Sequence, residues 1–510
     1  MNASELLRGC DYTILAGSPA EEIKTIARDN RSAEAGDLFI CTKGARFDTH
    51  DPAVIRALLE KGVRSFVIER REAFDTETAR LAAEHDACFL LTENSRHAAA
   101  CAYAAYYGHP AEKLVTVGIT GSKGKTTAAH MMAAILNAAG MTAGLIGTNG
   151  VDYPGVSKEL LNTTPDADVL QKELAGMTDA GCRAAVIEVS SQAMKLHRAD
   201  GFTFDIGIFM NIQTGDHIGP NEHESFEDYL FCKAELLNHS RLALIHGDDP
   251  YLPDLLPLVR VPYLLFGAGE NCLYRAEDIR DENAPEDGFP GICFSLAGKL
   301  SGQVFVNMPG DFNTWNALAA LAAADRLGID PDTAAKALSH IHIRGRTDIV
   351  FKGEHFSVCV DFAHNGESAF HHLKAMRAFL PKRLVCIFGA DGNRSKGRRY
   401  GMGEAAGKLA DFTIVTSGHN RYETFEAILE DTKVGLYRAE HPNFIAIKDR
   451  KEAIRYAMEH AEDGDLITIL GLGHEHWQEE NGVKYEYSDI DYVLSLVREM
   501  GLKDIREGRT

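Results

Sequence analysis

Several things are missing from this sequence. No apolar run approaches the roughly 18–20 residues that a membrane span needs, so no transmembrane segment is expected. The opening residues MNASELLRGC carry neither a basic cluster nor an apolar core and are not expected to act as a signal peptide. The ten cysteines include no C-x-x-C pair, a scatter that suits buried thiols in a reducing cytoplasm better than a disulfide framework or a zinc site. Basic residues are outnumbered, 53 Lys and Arg against 74 Asp and Glu, for a net charge of −21. Without a basic field to attract a phosphate backbone, nucleic acid is not an expected partner. Repeats and low-complexity segments are absent too. What remains is ordinary globular composition, 45% hydrophobic and 25% charged, in a chain of 510 residues that is too long for one core. A cytoplasmic enzyme of two to four domains is the expectation.

Strand and helix patterns alternate along the chain. In the first hundred residues GDLFICTKG, VRSFVIE and ACFLLTE read as short strands, and DPAVIRALLEKG and SRHAAACAYAAYYG as helices. GHPAEK then supplies a linker. The middle strands RAAVIEVSS, FDIGIFMNI and RLALIHGDD are almost wholly apolar, as parallel strands covered on both faces are. The helix FNTWNALAALAAADRLG closes this part. FSVCVDFAH, RLVCIFGAD, DFTIVTSG and DLITILGLG then begin a second parallel sheet. The expected fold is α/β, three domains in series, with boundaries placing them at 1–112, 113–341 and 342–510.

GITGSKGKTT, Gly118 to Thr127, follows the apolar run Leu114–Val117 and leads into AAHMMAAILNAAG, which has helical spacing. A glycine-rich turn between strand and helix cradles phosphate with inward N–H groups and the helix N-terminus. The strict G-x-x-x-x-G-K-[ST] pattern fails at Ile119. Gly121, Ser122, Lys123, Gly124, Lys125, Thr126 and Thr127 still form the loop, with Lys125 for the terminal phosphates and a hydroxyl for Mg²⁺. A glycine turn that binds no nucleotide is the plain alternative. Glu188, in VIEVSSQ, falls at the C-terminal end of a parallel strand, where ligands collect in open sheets and a carboxylate can hold Mg²⁺; a solvated loop carboxylate is the competing reading. In NIQTGDHIGPNEHESFEDYLFCKAELL, His217 and His223 occupy a polar loop and Lys233 a helix. Paired histidines more often hydrogen-bond than ligate metal. A lysine aimed at a magnesium site would be repelled unless its charge were removed.

Taken in order, YYGHPAEKL, GITGSKGKTT, NTTPDA, EVSSQA, NIQTGDHIGPNEHESFEDYLFCK, GDFNTWNALAA, VDFAHN, FGADGNRSKGRR and GLGHE resemble the Mur ligases. These enzymes join amino acids to the peptidoglycan precursor with ATP, and the likeness is to the members that add the third residue. The resemblance implies ATP and Mg²⁺, with Thr126, Glu188, His217 and Lys233 at the metal site and Lys233 carbamylated by CO₂. Asn313, Asn316, Arg346 and Asp361 match nucleotide positions, the last within D-F-A-H, where the family has tyrosine instead of Phe362. Asn30, Arg31 and His50 match the uridine-diphosphate-binding domain, and Thr163, Thr164, Ser190 and Arg198 match positions that hold the muramoyl-peptide. Leu196 replaces a frequent glutamine. The implied partners are UDP-MurNAc-L-Ala-D-Glu and a free diamino acid, acted on by a cytoplasmic monomer.

The resemblance places the amino-acid pocket at Arg394, His419, Arg421, Gly471 and Glu475. Diaminopimelate-adding relatives carry D-N-P-R where this chain reads Gly418, His419, Asn420 and Arg421, and Leu472 replaces a lysine of G-K-G-H-E. Guanidinium binds carboxylate bidentately, so Arg421 suits diaminopimelate, which is lysine with a second carboxylate; alternatively it pairs with Glu423 or Glu426. NEHESFEDYLFCK, EVSSQA and DFAHNGES look more like lysine-adding ligases. Folylpolyglutamate synthetase, which lacks a uridine-diphosphate domain, and a non-ligating nucleotide-sugar-binding paralogue are the rival readings.

Overall fold

The computed structural model describes residues 1–44, 47–214, 218–219, 222–283, 290–440 and 443–506. It is α/β, and the chain divides into two compact units, Met1–Leu273 with Ala319–Asp330 and Tyr274–Leu318 with Pro331–Thr510. No helix among the described residues is long and apolar enough to cross a membrane.

The first unit holds two sheets. In the N-terminal one, Leu38–Ile40, Ser65–Ile68 and Cys88–Thr92 run parallel with Ile26–Ala27 at one edge, and Tyr12–Ala16 pairs antiparallel with Cys88–Thr92. The helix Pro52–Lys61 shows why the local sequence folds this way. Pro52 stands in the first turn, the Asp51 carboxylate accepts from Ala53 N at 2.9 Å, and Gly62 ends the helix in the left-handed region. The GHPAEK segment is no free linker; Pro110–Lys113 is a 3₁₀ turn with Pro110 and Ala111 buried.

The second sheet positions the site. Val115–Thr120 lies between Ala184–Glu188 and Phe204–Phe209, all parallel, with Ile119 level with Glu188. Ala143–Gly147 pairs with the far side of Ala184–Glu188, and Ser240–His246 with that of Phe204–Phe209. Every residue of Ala184–Glu188 is buried, as expected for a strand covered on both faces. Side chains such as Ile119, Ile187 and Ile208 contribute roughly 1.5–3 kcal/mol each by leaving water. The short strands Gly150–Tyr153 and Val156–Lys158 extend the edge antiparallel.

In the second unit Phe356–Asp361, Asp465–Leu470, Arg383–Phe388, Phe412–Val415 and Phe444–Ala446 form a parallel sheet edged by the antiparallel Asp348–Lys352. Tyr274–Asn283, Pro290–Gly298 and Gly302–Val306 pair antiparallel, and Trp477–Glu480 with Val483–Glu486 makes a hairpin.

Candidate active site

At the end of Val115–Thr120 the chain turns through the glycine loop into the helix Lys125–Ala138, with Gly124 as the N-cap at φ 83°. The loop is braced by Asn211: its side-chain oxygen accepts from Lys123 N at 2.9 Å, its amide donates to Lys123 O at 3.1 Å, and its carbonyl accepts from Ser122 N. Lys125 Nζ donates to Gly121 O at 2.7 Å, so the lysine folds back over the loop.

Because Glu188 ends the adjacent strand, its carboxylate meets the start of that helix. Thr126 Oγ1 donates to Oε2 at 2.9 Å, Thr148 N to Oε1 at 2.9 Å and Thr148 Oγ1 to Oε2 at 3.1 Å. Glu188 is fully buried. The cradle depends on Gly147, where a Cβ would lie 2.1 Å from Glu188 Oε1. The polar chain continues outward through Thr148 Oγ1 to Thr163 Oγ1 at 3.1 Å. Thr164 Oγ1 donates to Glu188 O at 2.8 Å and accepts from Ser190 N at 3.0 Å. Arg198 donates to Thr164 O at 3.0 Å and pairs with Asp166 at 2.7 Å. Thr126, Glu188, Thr163, Thr164, Ser190 and Arg198 are therefore one connected network. Thr148, its hub, carries no sequence motif.

Lys233 is 1% exposed, on the helix Phe226–Asn238. Its ammonium lies 4.7 Å from the centroid of Tyr229, and no carboxylate pairs with it among the described residues. Tyr229 and Ser122 hydroxyls are 2.9 Å apart, which ties this helix to the loop. Burial, and then the charge of Lys125, hold Lys233 well below the usual lysine range. A neutral amine is the form this place favours.

His217 lies outside the described residues. His223 is buried, with Nε2 2.9 Å from Ser191 Oγ and Nδ1 3.2 Å from Asp228 Oδ2. Burial lowers its pKa. Burial alone would raise Asp228, but the Lys195 ammonium at 2.6 Å brings it to about 2. This histidine hydrogen-bonds, as its chemistry suggested.

In the turn between Ile26–Ala27 and Leu38–Ile40, Asn30 and Arg31 are exposed, and Arg31 pairs with Asp29 at 2.6 Å. His50 is buried; its Nδ1 lies 3.0 Å from Asp48 Oδ1 and its Nε2 accepts from Glu69 N at 3.3 Å. In the second unit Asn313 donates to Pro309 O at 2.7 Å and Asn316 to Asn313 Oδ1 at 3.0 Å. The Arg346 guanidinium stacks 4.6 Å from the Phe362 centroid, and the Asp361 carboxylate accepts from Thr347 N and Ala363 N at 2.7 and 2.8 Å.

Arg421 sits in the left-handed region at φ 52°, held by the hairpin: its N–H donates to Glu479 O at 3.1 Å, and Asn481 N donates to its carbonyl. The guanidinium lies 3.5 Å from Asp391 Oδ2 and 3.7 Å from Glu479 Oε2. It does not pair with Glu423, which is taken by the buried Arg399. His419 stacks on Trp477, with centroids 4.2 Å apart, and its Nε2 lies 2.8 Å from Glu475 Oε2. Gly471 N donates to Asp361 O at 3.1 Å. Arg394 is exposed beside this group in sequence. Asp391, Trp477 and Glu479 were not legible, since only the fold brings Asp391 and Glu479 to Arg421 and Trp477 to His419.

A phosphate loop at the carboxyl edge of a parallel sheet, its threonine bound to a carboxylate on the next strand, defines a nucleoside-triphosphate-using α/β enzyme. Comparison with known proteins narrows the class. Residues 119–324 match the Mur ligase middle domain and residues 345–473 the Mur ligase glutamate ligase domain. The UDP-N-acetylmuramoyl-L-alanyl-D-glutamate–2,6-diaminopimelate ligase of Clostridium perfringens is 32% identical over 97% of this chain and 99% of its own. That of Aquifex aeolicus is 33% identical over 94% of each. A solved ligase of the same name superposes with a TM-score of 0.69 at 25% identity, covering 98% of this chain and 99% of its own. Folylpolyglutamate synthase of Mycobacterium tuberculosis, solved with ADP and AMPPCP, shares the fold at a TM-score of 0.57 and 17% identity but covers only 74% of this chain. The chain belongs to the Mur ligase family of ATP-dependent, peptide-bond-forming enzymes.

Proposed function

We propose that the protein adds meso-diaminopimelate to the D-glutamate carboxylate of UDP-MurNAc-L-Ala-D-Glu, in the cytoplasmic synthesis of peptidoglycan precursor. The observation that carries this reading is the network joining the phosphate loop through Thr126 and Glu188 to Thr164, Ser190 and Arg198. It supports the reading by joining the loop we assign to ATP and the residues we assign to the peptide in one set of hydrogen bonds. We assign residues 1–112 to the uridine diphosphate, 113–341 to ATP and 342–510 to the amino acid, in a monomer.

A carboxylate resists attack by an amine until its charge is lost. Attack by the D-glutamate carboxylate on the γ-phosphorus of ATP forms an acyl phosphate and releases ADP. Attack by the diamino acid's amine on the acyl carbon then forms the amide and releases phosphate and a proton. The first step is mostly positioning and charge neutralisation, supplied by Lys125 and the loop N–H groups. The donor set fits Mg²⁺: Glu188 and the Thr126 hydroxyl are hard oxygen ligands, and His217 is assigned to the same site. The ion neutralises phosphate charge when bound. Lys233 fits carbamylation, because a neutral buried amine can add to CO₂, giving a carbamate anion and releasing one proton. The product is an anion where an ammonium would oppose the metal.

The distal end of diaminopimelate carries both an ammonium and a carboxylate. A guanidinium flanked by Asp391 and Glu479 complements both charges. The test is phosphate release with ATP, Mg²⁺, UDP-MurNAc-L-Ala-D-Glu and diaminopimelate. Release that depends on the amino acid and disappears in Lys125→Ala supports the reading; release unchanged in that variant contradicts it.

A further inference from the structure

Away from the phosphate loop, two thiols and two imidazoles gather beside one buried carboxylate. The helix Ser95–Tyr106 is rich in alanine, and Ala98, Ala99 and Ala102 pack in one core with Ala3, Leu6 and Leu7. Small side chains let the N-terminal segment lie close, and the turn that ends its first helix brings Cys10 to this helix. His97 and Cys101 are four residues apart and share a face. On the other side, Gly201 at φ 89° lets the preceding Asp200 approach; a Cβ there would lie 2.7 Å from Ala100 O.

The backbone of His97 is fixed by a helix cap and its ring by Asp200. Asn94 Oδ1 caps its helix by accepting from Arg96 N and His97 N, both at 3.0 Å, and its amide nitrogen lies 2.8 Å from His197 Nε2. Asp200 is 3% exposed. Its Oδ2 lies 2.7 Å from His97 Nδ1 and 2.9 Å from His197 Nδ1, so both imidazoles donate to it. Its Oδ1 is buried without a hydrogen-bond partner among the described residues. Nε2 of His97 therefore faces the sulfurs, 3.6 Å from Cys101 Sγ. The ligand atoms of Cys10, His97 and Cys101 all lie within 4.8 Å of one another.

We propose that Cys10, Cys101 and His97 Nε2 bind one zinc-class divalent cation, with Asp200 as the outer carboxylate that orients the imidazole. Two thiolates and one imidazole are a zinc donor set, and a carboxylate on the far ring nitrogen is the usual support for a ligating histidine. Ligand atoms bound at about 2.0–2.3 Å to one tetrahedral ion stand roughly 3.3–3.8 Å apart, a modest closure from the observed spread. Binding releases to solvent the two thiol protons and the proton on His97 Nε2. Cys10 and Cys101 are only half-buried, which leaves an entry path and a fourth position for water. The ion would clamp the N-terminal segment, the helix Ser95–Tyr106 and the Asp200 turn together. None of these ligands belongs to the phosphate-loop network.

The experiment uses the reduced full chain, stripped by chelator and held in excess Mg²⁺ so that the phosphate-loop site is not the acceptor. Titration with Co²⁺ should give one equivalent of tight binding and a near-ultraviolet thiolate-to-cobalt band that Zn²⁺ displaces. Cys10→Ser and Cys101→Ser should each lose the band, and Asp200→Asn should weaken Co²⁺ binding about 10–100-fold. Zn²⁺ should raise the melting temperature of the parent protein but not of Cys10→Ser, a half-buried position where serine is tolerated. No thiolate band in the parent, or a band unchanged in both serine variants, overturns the proposal.

Discussion

A lysine buried as fully as Lys233 must either give up its proton or gain an anion, since an unpaired buried ammonium is among the costliest groups a protein can hold. The proposed carbamylation would do both. Activity should fall when CO₂ is stripped from the buffer and return with bicarbonate, and ¹³C-bicarbonate should give a carbamate signal lost in Lys233→Ala. Turnover indifferent to CO₂ would contradict the modification. Glu188→Gln keeps the shape but removes an anionic ligand from the proposed Mg²⁺ site, and should lower kcat by roughly 10²–10³-fold, the usual scale for losing one group that stabilises transition-state charge, here through the ion. Lys125 and Glu188 could be picked out as candidates from motif and strand position, and Lys233 only through the family resemblance. Thr148, Asp391 and Glu479 could not, because each reaches its partner only through the fold. Arg421 shows the limit: sequence proximity suggested Glu423, yet that carboxylate belongs to Arg399. The cysteines show it again, for the absence of C-x-x-C spacing concealed Cys10 and Cys101 lying against one helix face.

Among the elements, two ion pairs brace the region proposed to take the amino acid. Arg450 and Asp489 are both buried and pair at 2.7 Å, and the same guanidinium donates to Ser417 O and Leu470 O at 3.2 and 2.9 Å. It thus holds the strand ends that precede His419 and Gly471. Asp489→Ala should cost about 3–5 kcal/mol, because it leaves a buried charge alone, and chemical denaturation measures this directly. The second pair makes a pH prediction. Arg399 hydrogen-bonds Glu423 and holds it at about 2, below its ordinary 4.5. A carboxylate whose folded pKa is depressed stabilises the fold above its unfolded value, and that stabilisation is lost as pH falls from 4.5 towards 2. Glu423→Gln should therefore flatten the melting curve against pH in that window; an unchanged slope would deny the pair its role. The central and C-terminal parallel strands could be read from the sequence because apolar runs covered on both faces leave a plain signal. The antiparallel strands Tyr274–Asn283 and Trp477–Glu480 could not, since half-exposed polar strands such as YRAEDIRDEN look like loop.

For the whole molecule, the division into two units predicts ligand-specific stability. The residues assigned to the UDP-muramoyl dipeptide all belong to Met1–Leu273, and those assigned to the diamino acid to Pro331–Thr510. Calorimetry should show separate transitions, the first raised by the nucleotide-sugar and the second by diaminopimelate. At a ligand concentration of 100 Kd the stabilisation should be about 2.7 kcal/mol. A single transition moved equally by either ligand would contradict that assignment. The most direct test of the central claim is phosphate release from the purified protein with ATP, Mg²⁺ and UDP-MurNAc-L-Ala-D-Glu, run separately with meso-diaminopimelate, L-lysine and L-ornithine. The account predicts strong turnover with diaminopimelate alone, because it assigns Arg421 to the extra carboxylate. Turnover with lysine or ornithine but not diaminopimelate would contradict the pocket, and silence with all three would contradict the ligase.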